Sequence, residues 1–134
     1  MKNLVLVGRL VFGAWMLVTG VNHFYPFLAP PVRHEPLAVQ LLTAVNHSRL
    51  IDVVATIQLV AGLSALTGLF VPVTLCVCMP VSTCILYWSA ILEHSPIQAV
   101  LGLALFALNG LLMLAYLDYY RPILERRAPT LGEA

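Results

Sequence analysis

The chain has 134 residues, of which 60% are hydrophobic and 10% charged, with a net charge of +1. A typical soluble domain carries roughly 25% charge and about 45–50% apolar residues, so this composition excludes a single soluble core, which needs a polar shell. The near-zero net charge offers no footprint for nucleic acid, and the length suits one compact bundle.

Charges are absent from Val53 to Leu92 and again from His94 to Leu117. A membrane span takes about 20 mostly apolar residues, so the first stretch holds two helices and the second holds one. The first apolar run, residues 4–25, supplies a fourth span. It begins like a signal peptide, with Lys2 as its basic end, but Arg9 interrupts it and no small-x-small site follows. It therefore reads as a retained helix. Arg9 lies about two turns in and can snorkel back to the headgroups.

Residues 26–49 form a polar excursion. Pro26, Pro30 and Pro31 stop the first span. Pro36 opens a short helix to about Val45, with Leu37, Leu41, Leu42 and Val45 as its apolar face, lying on the membrane surface or capping the bundle. The second span covers 50–70 after a cap at Ser48, and "TGLFVP" makes a very tight turn. The third span covers 72–92, with Pro80 expected to kink it. Ser95 and Pro96 start the fourth span, 96–117, and residues 118–134 form a polar tail.

These segments define an all-α chain: a left-handed four-helix transmembrane bundle with a short outer-surface helix in the first loop. The basic residues orient it. Lys2, Arg9, Arg121, Arg126 and Arg127 fall on one side and Arg33 and Arg49 on the other. Both termini are then cytoplasmic, in the inner membrane of the cell, and the 26–49 loop faces outward.

That topology gathers every histidine, His23, His34, His47 and His94, at the outer edge, together with Asn22, Glu35, Asn46, Asp52 and Glu93. Helical spacing draws a polar seam inward: Trp15, Thr19, Asn22 and His23 in the first span, Gln58, Gly62 and Ala65 in the second. Cys78, Ser82, Ser89 and Glu93 continue it in the third, and Gln98, Gly102, Leu105, Asn109 and Tyr116 in the fourth. Polar groups facing lipid need partners, so these faces should meet inside the bundle.

Two readings of the seam stand side by side. One is an outward-opening pocket lined by Asn22, His23, Asp52, Gln58, Ser89, Glu93 and Gln98, taking a quinone or other lipophilic small molecule, or passing protons between carboxylate and imidazole. The other is interhelical hydrogen bonding that holds the bundle, at about 0.6 kcal/mol per bond. The histidine spacing matches no metal-ligand motif, and no serine sits in a nucleophile-elbow context. Cys76, Cys78 and Cys84 read as packing residues. Ala61/Ala65 and Ser64/Gly68 are small-xxx-small pairs that permit close helix approach, within the chain or to a second copy.

The segments "GRLVFGAWMLVTGVNHF", "VVATIQLVAGLSALTGLFVPVTL", "MPVSTCILYWSAILEHS" and "YRPIL", in this order, resemble the DoxX-like family of small four-helix membrane proteins over nearly the whole chain. The resemblance implies a subunit or accessory protein of a membrane redox assembly; family members include subunits of a thiosulfate:quinone system and of redox-stress complexes. It also implies Glu, Asn and His at the positions of Gln58, Cys84 and Ser89, and this chain departs from the pattern at all three. An acid–base role at position 58 is therefore not expected here. Two functions follow: a non-catalytic subunit bound to other membrane proteins or to copies of itself, or a small membrane oxidoreductase or isomerase acting on a lipophilic compound.

Overall fold

The computed structural model describes residues 1–30, 33–126 and 130–132. Four helices are long and apolar enough to cross a membrane: α1 (Lys2–Phe24), α3 (Leu50–Thr67), α4 (Val71–Tyr87, extended by a π-helical turn Trp88–Leu92) and α5 (Pro96–Ala115). A shorter α2 (Pro36–His47) lies in the first loop, and a single turn α6 (Leu117–Tyr120) with a 3₁₀ turn (Arg121–Leu124) follows α5. Among the described residues there is no strand.

The spans form a ring in which α1 neighbours α3 and α5, and α4 neighbours the same two. Adjacent spans are antiparallel. One end of the bundle, the terminal end, carries the start of α1 and the finish of α5. The other, the loop end, carries α2 and the α4–α5 turn.

Small residues set the closest approach, between α1 and α3. A methyl group built on Gly62 would lie 2.8 Å from both Cβ and the backbone nitrogen of Leu17. One on Gly13 would lie 3.0 Å from Cβ of Ala65. Lipid tails are as apolar as the helices, so van der Waals contact at this range, not exclusion from water, holds the pair. Ala61 and Ala65 are each 1% exposed, so their small faces meet a helix of the same chain. Phe12, Met16, Leu75, Cys78, Leu105 and Leu112 fill the ring's centre.

The α3–α4 hairpin follows from the "TGLFVP" chemistry. Gly68 takes a left-handed φ of +80° and its N–H closes on the carbonyl of Ser64. The Ser64 hydroxyl donates to the Leu69 carbonyl and lies 2.7 Å from that of Thr74, so one side chain serves both helix ends.

Some details depart from the expectation. In α1 the innermost face is Phe12, Gly13, Met16 and Gly20, while Trp15, Thr19, Asn22 and His23 flank it. Thr19 returns its hydroxyl to the carbonyls of Trp15 and Met16, which removes its need for an interior partner. In α2 the buried position is Ala38, with Leu42 and Val45 half-buried and Leu37 and Leu41 exposed. The helix thus buries one of its two alanines and caps α3 and the π-turn. Ser48 closes α2 on the Val45 carbonyl, and Arg49, at φ +59°, stands at the cap of α3. Ser95 precedes α5 without a side-chain cap bond.

Candidate functional site

The register of α1 against α3 builds the loop end. Gly20 packs on Leu59 and the Ala55 carbonyl. One turn further along each antiparallel helix come His23 and Asp52, and their side chains meet: His23 Nε2 lies 2.7 Å from Asp52 Oδ1. His23 occupies the last turn of α1, the end that favours a basic side chain, and Asp52 the first turn of α3, the end that favours an acidic one. The pair is half open, with the side chains 27% and 42% exposed, and the His23 ring stands edge-on to Phe24 at 5.1 Å.

Asn22, beside His23, is spent on the backbone. Its Oδ1 accepts the N–H groups of Phe27 at 3.0 Å and Leu28 at 2.9 Å, which folds the chain back after Pro26.

A second cluster forms around the π-turn. The Glu93 N–H bonds the Trp88 carbonyl at 2.9 Å, a five-residue step. In an α-helix, residues five apart point in different directions; the wider turn stacks them. The Trp88 indole then donates to Glu93 Oε2 at 3.1 Å. Arg33, arriving from the first loop, places Nε 3.8 Å from Glu93 Oε1 and its guanidinium carbon 4.9 Å from the Trp88 ring centroid. The Glu93 side chain is only 7% exposed. Charge, hydrogen bond and cation–π contact together fasten the loop across the bundle.

The other expected lining residues divide. Ser89 donates to the Ile85 carbonyl at 2.7 Å and packs where Gly102 lets α5 approach α4. Gln58 and Gln98 are half-buried, and among the described residues neither side chain makes a hydrogen bond. No hydrogen bond or ion pair among the described residues joins the His23–Asp52 pair to the Glu93 cluster. His34, His47 and His94 are exposed. Among the described residues no group of three His, Cys, Asp or Glu side chains converges on one point.

Deeper in the bundle, Asn109 Nδ2 donates to Ser82 Oγ at 3.0 Å, with both residues 0% exposed.

Sequence reasoning named every acidic and imidazole group here but missed that Arg33 and Trp88 complete the Glu93 cluster. An α-helical reading cannot pair positions 88 and 93, and Arg33 comes from a distant loop.

Four apolar spans around a closed interior define a multi-pass membrane protein of the four-helix bundle class. Comparison with family models finds no match, and comparison with curated proteins and with solved structures finds none either.

Proposed function

We propose that this chain is a DoxX-like, non-catalytic subunit of a larger assembly in the inner membrane, of the redox kind, with both termini in the cytoplasm. The supporting observation is how the inward polar side chains are used. Asn109 bonds Ser82, Ser64 bonds Thr74, Ser89 bonds its own helix, and His23 bonds Asp52. Bonds of this kind serve cohesion, with Gln58, Gln98 and Asn109 Oδ1 outside them, while exposed apolar side chains such as Leu63, Val73, Val100 and Leu111 cover the outside of the spans. Purification in mild detergent with cross-linking tests the reading. A membrane protein recovered in stoichiometric amount is the expected outcome. A lone oligomer carrying a quinone, chromophore or metal overturns it.

One observation favours a second reading. The His23–Asp52 pair stays half open at the loop end, where the carboxylate orients the imidazole and leaves its other nitrogen to meet a ligand oxygen. On this reading the site takes a lipophilic molecule such as a quinone, with Gln58 the next polar residue along α3 after Thr56, whose hydroxyl is bonded to the Asp52 carbonyl. His23→Ala and Asp52→Asn would then each abolish binding of a soluble quinone analogue, and unchanged binding would remove this reading.

A further inference from the structure

Arg9 sits two turns into α1, yet no carboxylate among the described residues is paired with it. Among the described residues its only hydrogen bond is from Nη1 to the Tyr116 hydroxyl, at 3.5 Å. Nε is wholly buried without an acceptor. Nη2 has no acceptor either and is not closed off. An arginine offers five N–H donors and stays charged at any physiological pH, so most of its bonding capacity is unanswered by the chain.

The guanidinium is nevertheless held in place. A methyl group on Gly68 would lie 3.2 Å from Nη1 and 3.4 Å from both Cζ and Nη2, so the planar group lies face-on over Gly68. This floor is the left-handed residue that ends α3, where the helix carboxyl end favours a cation. Tyr116, just past the last residue of α5, forms one wall. The charge is therefore at the level where α3 and α5 finish, which is the membrane interface at the terminal end. The charged side chains described at this end are Lys2, Arg9, Arg121 and Arg126 against Asp118 and Glu125, and Asp118 is taken by Arg121 at 3.2 Å.

We propose that Arg9, Gly68 and Tyr116 form a binding site for the phosphodiester of an anionic glycerophospholipid. The phosphate oxygens accept from the free guanidinium donors, in the planar two-point geometry that arginine supplies and lysine does not. Glycine at position 68 keeps that face of the group uncovered by a side chain. The acyl chains lie along the apolar outer faces of α1 and α5.

The test uses the full-length protein in a neutral detergent, with thermal unfolding followed on addition of phosphatidylglycerol, phosphatidylcholine or inorganic phosphate. Phosphatidylglycerol is expected to raise the unfolding temperature saturably. Phosphatidylcholine should do so at about tenfold higher concentration or above, and inorganic phosphate hardly at all. Arg9→Gln and Arg9→Lys should both lose the preference for the anionic lipid, and Lys2→Gln should keep it. Equal shifts with both lipids overturn the proposal, and so does a preference that survives Arg9→Gln or disappears with Lys2→Gln. An equal shift with inorganic phosphate assigns the site to a free anion and overturns the lipid assignment. Should Arg9→Gln fail to fold, Tyr116→Phe with Arg9→Lys carries the same comparison.

Discussion

Asn109 is wholly buried among four apolar helices with one of its two polar atoms in use. Nδ2 donates to Ser82, and Oδ1 has no partner among the described residues. The bond gained and the acceptor left unmade oppose each other. A hydrogen bond inside a membrane bundle contributes about 0.6 kcal/mol on average, and an unpaired buried acceptor costs a comparable amount or more. Asn109→Leu, nearly equal in shape, should therefore change stability by no more than about 1 kcal/mol, because Ser82 can turn its hydroxyl to its own helix. Asn109→Ala should cost more, about 2 kcal/mol, through the cavity it opens. Reversible unfolding in detergent micelles measures both. Tyr120 lies outside the spans and behaves differently. Its hydroxyl donates to the Pro72 carbonyl at 2.6 Å, and burial, with a smaller contribution from Cys76, pushes the phenol up to about 12. The folded state thus holds the proton more tightly than the unfolded chain. The stabilisation is complete below the ordinary value of 10.0 and is lost as pH rises toward about 12. In an ultraviolet titration Tyr120 should contribute a component that ionises above the ordinary value of 10.0, and Tyr120→Phe should remove that component.

Glycines decide how the helices fit, and two of them make opposite predictions. Gly62 faces the backbone of Leu17, which cannot yield as a flexible side chain would. Gly62→Ala should force α1 and α3 apart and cost about 1–3 kcal/mol. Gly110 meets nothing within 4 Å, so Gly110→Ala should be neutral or stabilise by up to about 1 kcal/mol through helix propensity. Thermal unfolding of the two variants in the same detergent separates them. At this scale the sequence was legible where composition or turn chemistry governs. The four spans, Pro36 opening α2, and the hairpin at Gly68 all lie where apolar runs and breakers place them. Rotation about a helix axis was less legible. Trp15 and Thr19 were expected inside, but Phe12 and Met16 occupy the centre, because Thr19 satisfies itself on its own helix. The π-turn carries no compositional mark, so the Trp88–Glu93–Arg33 cluster could not be read from residue spacing. The His23–Asp52 contact was half legible: both residues were placed at one edge, but their pairing depends on the register set by Gly20.

For the molecule as a whole, four spans in an antiparallel ring put the start of α1 and the finish of α5 at the same end of the bundle. Reporter fusions at the N-terminus and after the last residue should therefore be active in the same compartment. The excess of basic residues at that end makes the cytoplasm the expected one. Activity on opposite sides would remove one span from the account. In the proposed orientation the loop end, closed by α2 and the Arg33–Glu93 contact, would face away from the cytoplasm, and any lipophilic ligand of His23 and Asp52 would enter from that leaflet.

The contact between Arg9 and Tyr116 joins residues 107 positions apart, so all four spans must be made before it can form. At a synthesis rate of about 5–20 residues per second, Arg9 waits about 5–20 s in the growing chain before its phenol is made. The α3–α4 hairpin is finished well within that interval, and the tie from Tyr120 to Pro72 comes still later. The ring consequently closes from its last-made helix. A nascent chain halted before Pro96 would hold three spans and an arginine at their edge without its phenol, a chemical difference between a chain that lacks α5 and Tyr116 and one that has them.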